Sequence, residues 1–442
     1  MFMRTLFLKD ETGTDFSRKE KMLYVLIAGF FISFYLRSHP VINNSVIGLL
    51  FIFSFYYNGL REKVRLLWQR KAVLLMLLFF LLHLISSLFS SNKQEALDML
   101  ALRSPLLLFP VSLGLIVISG KLKDRILWLY NLVTTGAAAV CLGWALVLYR
   151  QTGNAALLYN DSLSDAIGKQ SIYFALMINL AVFSWVYLLN KRVSFINRGL
   201  AYCSILFLLF IHFLLASRMN MIVLYTCLLG YAVYYIIRRR KILEGLILVM
   251  GLVIGAFLLF KMFPKTFNRF RELGYTEYQF NNKAVESHYN MEVTADQWNG
   301  ANIRLAIWQC GWELARTHWL TGVQLGDKED RLMEVYREKD FQFAVKTQRN
   351  LHSNYLDVLV SFGVIGLLLF VTGYLLLPLL SCLRQHDGIG VFIVLAFAAA
   401  FFSETYFDRS MGAVLAGFFL SFVLSDKRLA AGKVTDCPPG TA

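Results

Sequence analysis

Apolar runs near bilayer-crossing length recur from one end of this 442-residue chain to the other. Such a run leaves its backbone few choices. Hydrocarbon offers no water to bond N–H and C=O groups, so each run must be a helix or part of a closed barrel. Twelve runs can be counted, at residues 22–36, 41–59, 72–91, 104–119, 126–149, 171–189, 199–215, 219–237, 242–263, 353–380, 389–405 and 411–425; the first and fourth are short. Barrel strands would show brief segments of alternating polarity, and this chain has none. The expected fold class is all-α: a polytopic membrane protein of about twelve transmembrane helices.

Composition agrees, with 57% hydrophobic and only 17% charged residues, far from a soluble profile. Residues 1–21 are polar and of mixed charge, and no small-residue cleavage site follows the first apolar run, so that helix is expected to be retained. A net charge of +15 would suit a nucleic-acid binder, but its placement argues otherwise. With the N-terminus taken as cytoplasmic, inner segments collect 24 Lys and Arg, among them Arg61-Glu62-Lys63-Val64-Arg65, Lys121-Leu122-Lys123-Asp124-Arg125 and Arg238-Arg239-Arg240-Lys241. The short outer loops hold seven, and the remaining 13 are Lys261 and 12 in one long loop balanced there by 12 acidic residues. This positive-inside pattern predicts two cytoplasmic termini, a long loop outside, and the bilayer, not nucleic acid, as partner.

That loop, residues 264–351, is the one large polar stretch in the chain. It divides the expected organisation into helices one to nine (1–263), a loop domain (264–351), helices ten to twelve (352–425) and a disordered cytoplasmic tail (426–442). Within the loop, Ala301–Arg316 places Ile303, Ala306, Ile307, Cys310 and Leu314 at helical spacing, an amphipathic helix that Asn299 or Asn302 could cap. Gly322 and Gly326 mark a turn, and Asp327–Lys346 reads as a charged helical region, with Phe341–Val345 ambiguous. The second polar segment, Gln151–Gln170, is short and irregular. No internal repeat is visible. The six cysteines show neither a disulfide framework nor metal-ligand spacing.

Several residues could carry chemistry. His352 opens the tenth apolar run, where an imidazole that titrates near neutrality could take a proton from an attacking hydroxyl; it could equally bond the helix start. Arg218 lies between two apolar runs with almost no loop, and its donor fork matches a phosphate; snorkelling to headgroups is the alternative. Arg304 stands in the first turn of the loop helix, four residues before Trp308, where a solvated face is the plain alternative. Arg349, Lys346 and, more weakly, Arg103 are further candidates for one anionic pocket, with Trp308 at its wall. Carboxylates are expected only near helix ends (Glu244, Asp357, Glu404, Asp408), and none is expected to be buried, which argues against a proton-coupled carrier. Arg37-Ser38-His39-Pro40 holds no acidic metal ligand, and no Walker or Ser-His-Asp set is present.

Taken together, Ser217-Arg218, Arg304 with Trp308, Gly322 with Gly326, His352-Ser353-Asn354-Tyr355-Leu356 and Phe362-Gly363-Val364-Ile365-Gly366 resemble the O-antigen ligase and polymerase superfamily of bacterial inner-membrane glycosyltransferases, in order and spacing over nearly the whole chain. Many relatives carry a histidine just before the sixth helix, where this chain reads Lys169-Gln170-Ser171-Ile172-Tyr173-Phe174. The resemblance implies a GT-C-like helical fold with its active site on the periplasmic side of the inner membrane. It maps the family's essential histidine to His352 and its two essential arginines, as diphosphate ligands, to Arg218 and Arg304. It implies an undecaprenyl-diphosphate-linked glycan as donor, inversion at the anomeric carbon, and no metal or other cofactor. The acceptor would be lipid A-core for a ligase, another lipid-linked glycan for a polymerase, or a protein hydroxyl for a third relative. The shortness of Gln151–Gln170 favours the ligase. A transporter or flippase of lipid-linked glycan is the alternative of another class.

Overall fold

The computed structural model describes residues 16–37, 40–240, 242–262, 270–284, 286 and 297–426. The tail from Lys427 onward, His39 and parts of the long loop lie outside the described residues. Among those described, regular structure is helical; Ile118 with Asp426 and Glu286 with Trp298 form only isolated bridges.

In chain order the main helices are α1 (Arg18–Phe34), α2 (Pro40–Tyr57), α3 (Leu60–Gln69), α4 (Lys71–Phe89), α5 (Lys93–Gly114), α6 (Gly120–Thr152), α7 (Ser171–Asn190), α8 (Arg198–Leu215), α9 (Arg218–Arg239), α10 (Ile242–Met262), α11 (Asn302–Thr317), α12 (Lys328–Glu338), α13 (Gln342–Thr347), α14 (Asn354–Arg384), α15 (Gly388–Ser403) and α16 (Ser410–Leu424). Each apolar run coincides with one of them. Six of the described helices, α4 to α8 and α14, are long and apolar enough to cross a membrane. A seventh is possible if α2 and α3, bent by 96°, make one broken span. The shorter apolar helices, such as α15 with 16 residues and α16 with 15, would reach about 24 Å at 1.5 Å per residue, less than a hydrocarbon core of roughly 30 Å. The fourth run also begins earlier than its hydropathy suggests: α5 starts at Lys93, so Arg103 lies inside the span instead of before it.

Two hydrophobic cores form. The larger fills the bundle with aromatic side chains; Phe30 of α1 stacks on Phe418 of α16 at 4.7 Å between ring centres, and Phe109 of α5 meets both edge-on. The smaller lies under the polar segment, where Trp298, Ile307, Cys310, Leu332, Tyr336 and Phe341 pack with Leu351 and with Val360 of α14. Asn299 caps α11, its Oδ1 accepting from the N–H groups of Ala301 and Asn302 at 2.8 and 3.1 Å. The ambiguous stretch resolves as α13.

The two cores are joined where α14 breaks. Gly363 has a non-helical conformation (φ +64), and Gly322 is likewise left-handed (φ +71). A Cβ at Gly322 would overlap the Ser361–Phe362 backbone, and one at Gly363 the Leu320 carbonyl. With glycine at both places the chains exchange backbone bonds: Val323 N–H to Val360 at 2.8 Å, Gln324 to Ser361 at 3.2 Å and Val364 to Trp319 at 2.8 Å. Such irregular backbone is tolerated in a bundle only where protein covers it.

Beside this crossing sits a buried group of four charges. Lys328 Nζ lies 2.6 Å from Asp357 and 2.8 Å from Asp408, and Arg103 lies 3.0 and 2.7 Å from the same two carboxylates, with side-chain exposures of 0–4% throughout. Arg103 also donates to the Phe407 carbonyl and to His83, whose Nδ1 faces the Phe79 carbonyl. Burial alone would raise the Asp408 carboxyl; Lys328 and Arg103 overcome it and hold the group down to about 2. The expectation that the protein buries no carboxylate is therefore overturned: Asp357, Asp387, Asp408 and Asp426 are all buried, and each faces a lysine or arginine that makes its burial affordable.

Removing one member of such a group costs far more than removing a surface pair. Lys328→Met should destabilise the protein by about 3–5 kcal/mol. Arg331→Met, which breaks an exposed pair with Glu334, should cost about 1 kcal/mol or less. Thermal unfolding of the two detergent-solubilised variants compares them directly, and equal melting temperatures would contradict the ranking.

Candidate functional site

A cavity of about 590 Å³ opens where the polar segment meets the bundle, a size that suits a ligand of moderate bulk. Its walls bring together residues from five separated parts of the chain: Asp161 and Gln170, Arg218, Gly300 to Trp308, Arg349 with His352, and Glu404.

Each group is placed by the start or end of a helix. Ala216 closes α8 in a left-handed conformation (φ +49), so α9 begins at once with Arg218. Asn220 pins that turn by donating to Ser217 Oγ and to the Ile172 carbonyl, both at 2.9 Å. Arg304 extends from the first turn of α11, with a guanidinium nitrogen 2.6 Å from the Gly300 carbonyl. A Cβ on Gly300 would fall on the Arg218 guanidinium and within 3.3 Å of Arg304, so the two cations flank one glycine. Residues in the first turns of α7, α9 and α11 (Ser171, Arg218, and Ile303 with Arg304) line the cavity. Helix N-termini carry partial positive charge, so three of them and two guanidinium groups make this space attractive to an anion.

His352 is held in a strained left-handed conformation (φ +45) just before α14. Its N–H donates to Asn350 Oδ1 at 3.2 Å, and Ser353 caps the helix that follows. Its Nδ1 sits 3.1 and 3.2 Å from the two oxygens of Glu404, which follows α15. When Nδ1–H donates to that carboxylate, Nε2 is left as the accepting nitrogen of a side chain that lines the cavity. Burial works to raise the Glu404 carboxyl, but the His352 hydrogen bond, the charges of His352 and Arg304, and the Thr405 N–H together hold it below its ordinary value. Glu404 is the group sequence reading missed as a partner. Its sequence signal is slight, a carboxylate closing an apolar run, because the histidine it meets is 52 residues away.

The remaining candidates divide. Trp308 lines the cavity and donates from Nε1 to the Leu351 carbonyl at 3.0 Å, bracing the turn that carries His352. Arg349 also lines it and is ion-paired with Glu286. Lys346 is exposed on α13 and is not part of the wall. Arg103 is not in the cavity at all; two buried aspartates draw it into the charge group described above. A second cavity of about 460 Å³ adjoins the first along Trp308 and Phe402, whose rings meet edge-on at 5.3 Å. It is walled chiefly by Trp312, Tyr355, Leu356 and Leu359, so a polar chamber continues into an apolar groove. Among the described residues no three His, Cys, Asp or Glu side chains group closely enough to hold a metal ion.

Six helices of membrane-crossing length and a cavity walled by two arginines describe a multi-pass membrane protein with a space suited to an anion. Residues 203–371 match the family described as O-antigen ligase, and this match supports a likeness to the O-antigen ligase superfamily over that stretch. The matched region contains Arg218, Arg304 and His352 and ends before Glu404. No curated protein matches the chain.

Two measurements probe this geometry. Gly300→Ala pushes against the movable ends of two arginines, not against backbone. It should leave the melting temperature nearly unchanged yet weaken pyrophosphate binding about tenfold or more, as read by calorimetry, because charged hydrogen bonds are lost. The second concerns Glu404, whose folded-state proton affinity lies below its ordinary value of 4.5. The stability contributed by its ionised form is complete above that value and is lost as pH falls through the depressed one. Glu404→Gln should therefore flatten the acid side of the stability–pH curve; an unchanged curve would mean the carboxylate is not held as described.

Proposed function

We propose that this protein transfers a glycan from undecaprenyl diphosphate to a hydroxyl of lipid A-core at the periplasmic face of the inner membrane, without a metal and with inversion. The observation that carries the proposal is the meeting of His352, Arg218 and Arg304, drawn from three distant parts of the chain, in one cavity. The Glu404 contact adds to it by giving the imidazole a fixed orientation and one accepting nitrogen. The apolar groove beside Trp308 supports a donor whose diphosphate is polar and whose tail is hydrocarbon.

In this scheme the acceptor hydroxyl loses its proton to His352 Nε2 as its oxygen bonds to the anomeric carbon. The bond from that carbon to the diphosphate oxygen breaks in the same displacement, and the diphosphate departs with added negative charge. Arg218, Arg304 and the helix N-termini around them stabilise that charge, the part a divalent cation plays elsewhere. Glu404 keeps the imidazole in the required tautomer and steadies the imidazolium that forms.

A lipid-linked glycan as acceptor, which would make the enzyme a polymerase, gains support from one observation. Although short, the segment 151–170 reaches the cavity and contributes Asp161 and Gln170 to its wall, so a second loop is engaged. Supplying the purified protein with donor and either lipid A-core or a second lipid-linked repeat separates the two readings.

His352→Ala should lower the transfer rate by about 10²–10⁴ while donor binding persists. Arg218→Lys should lose nearly as much as Arg218→Ala, about 10²–10³, if two-point contact with phosphate matters. Both are read in a reconstituted transfer assay run with and without a chelator. Wild-type turnover by the His352 variant, or a requirement for added magnesium, would defeat the scheme.

A further inference from the structure

Helix α3 (Leu60–Gln69) turns 96° away from α2 and presents an apolar face outward. Its inner face is fixed to the bundle. Leu66 is buried, and so is Lys63, whose Nζ donates to Ser54 Oγ of α2 at 3.0 Å and to the Val111 carbonyl of α5 at 2.7 Å. Arg70, which closes the helix, donates to the Gly114 and Ile116 carbonyls at 2.5 and 2.7 Å. With 63, 66 and 70 turned inward, helical spacing gathers Leu60, Val64 and Trp68 on a different face. Those three are 67, 46 and 62% exposed. Arg61 and Arg65 each follow one residue behind a member of that stripe, and both are exposed.

The depth of this helix is set by α4, which begins two residues after α3 ends. The far end of α4 meets the polar segment: Ser86 Oγ donates to Gln324 Oε1 at 2.8 Å, and Ser90 Oγ accepts from the Gly326 N–H at 3.0 Å. Nineteen helical residues separate the two ends by about 28 Å, close to the roughly 30 Å of a hydrocarbon core. Helix α3 therefore lies on the side of the bundle opposite the polar segment that walls the His352 cavity.

We propose that α3 is an interfacial helix. It lies in the plane of the bilayer in the leaflet opposite the His352 cavity, with Leu60, Val64 and Trp68 at the boundary of headgroups and acyl chains, and it gathers anionic phospholipid at Arg61 and Arg65. An amphipathic helix with aliphatic and aromatic side chains on one face and cations beside them suits that position. The crossing does not need α3 to complete it, since α2 with its 18 residues already reaches about 27 Å. Exposed Leu49, Ile52 and Tyr56 lead along α2 to the bend. Aromatic rings mark the same level on both sides of it. Trp68 lies beneath the Lys71 ammonium at 5.6 Å, and Tyr56 beneath that of Lys19 at 4.7 Å. Rings and long cationic stems of this kind settle at the headgroup level. Charge supplies the lipid preference. At the surface of residues 60–71, three cations (Arg61, Arg65 and Lys71) stand against one carboxylate, Glu62, which pairs with Arg65 at 2.9 Å; the segment so contributes +2. An anionic leaflet attracts each such Lys or Arg.

The test uses the purified full-length protein in phosphatidylcholine vesicles. Trp68 emission is isolated by subtracting the spectrum of Trp68→Phe, and phosphatidylcholine brominated at shallow or at deep acyl positions reports its depth. Shallow bromines should quench Trp68 more strongly than deep ones. A minor fraction of brominated phosphatidylglycerol should quench more than the same fraction of brominated phosphatidylcholine. Arg61→Gln with Arg65→Gln leaves Lys71 balanced by Glu62. That double variant loses only an exposed ion pair, so it should melt at nearly the wild-type temperature. Its relative affinity for phosphatidylglycerol, taken from the quenching curves, should fall about 25-fold, roughly fivefold per charge. Stronger quenching by deep bromines would make α3 part of a broken span. No quenching by either brominated phosphatidylcholine would mean that its outer face meets water or another protein. Either result, an equal response to the two headgroups, or an unchanged preference in the double variant would overturn the proposal.

Discussion

Lys328 shares its ammonium between Asp357 and Asp408, and Arg103 approaches both from the other side, in a place that solvent does not reach. Charges can remain ionised there only because each faces its opposite; a single one alone would carry a desolvation cost of several kcal/mol. The four residues come from α5, the polar segment, the first turn of α14 and the turn before α16. Their mutual need therefore brings four distant stretches to one point. Two of them carry the site: Asp357 follows His352 by five residues, and Asp408 follows Glu404 by four. Neutral bonds brace the same junction, from Asn350 to Thr405 Oγ1 at 2.6 Å and from the Phe407 N–H to Asn354 at 3.0 Å. The imidazole and its carboxylate partner thus sit on two segments joined immediately behind them.

The cavity has the opposite electrostatic character. Arg218 and Arg304 are like charges drawn close around Gly300, and the first turns of three helices line the same cavity. In the protein without substrate, nearby carboxylates moderate this concentration of positive charge. Glu404 interacts with Arg304 as well as with His352, and Glu286 is paired with Arg349. A diphosphate would meet the same cations with more charge and better geometry than a single carboxylate offers. In the proposed transfer, binding and leaving-group stabilisation would draw on one set of groups, and the larger charge of the departing diphosphate would favour the later stage of the reaction.

Much of this was legible in the sequence, and what escaped has a common cause. Hydrophobic runs report local environment, so every apolar run coincides with a helix. His352 and Arg218 stand out because a polar group at the edge of an apolar run is conspicuous, and Arg304 because it stands four residues before Trp308 in the amphipathic loop helix. Residue type also suggested that Arg349 and Trp308 would join them, and both line the cavity. The fates of Arg103 and Glu404 were hidden because their partners lie 254 and 52 residues away, and pairing at such separation leaves no mark on local pattern. Membrane crossing is also more than hydropathy: α15 and α16 are fully apolar in character yet short of the span length. Gly322 and Gly363 were visible as glycines, but their shared role as the two sides of one backbone crossing belongs to the tertiary structure.

That crossing explains how the polar segment can position a site at the edge of the helical bundle. A straight α14 would present a closed helix surface and offer no backbone donors to the polar segment. By leaving helical geometry at Gly363, the chain frees groups that pair with residues 319–324. From there the polar segment continues through Gly326, packed on Asn92, and Asp327, whose carboxylate accepts the N–H groups of Ser91 and Asn92 at 2.8 Å, into Lys328. The segment is therefore anchored immediately ahead of the lysine that holds the charge group. Upstream, its helix α11 carries Arg304 and Trp308 to the cavity; downstream, its last turn, tied by the Tyr336 hydroxyl to the Arg349 carbonyl at 3.2 Å, delivers His352. Movement of the segment as a unit would shift both the cationic wall and the His352 imidazole against α9 and the end of α15, which hold Arg218 and Glu404, so the broken helix and the buried charges together set the dimensions of the cavity.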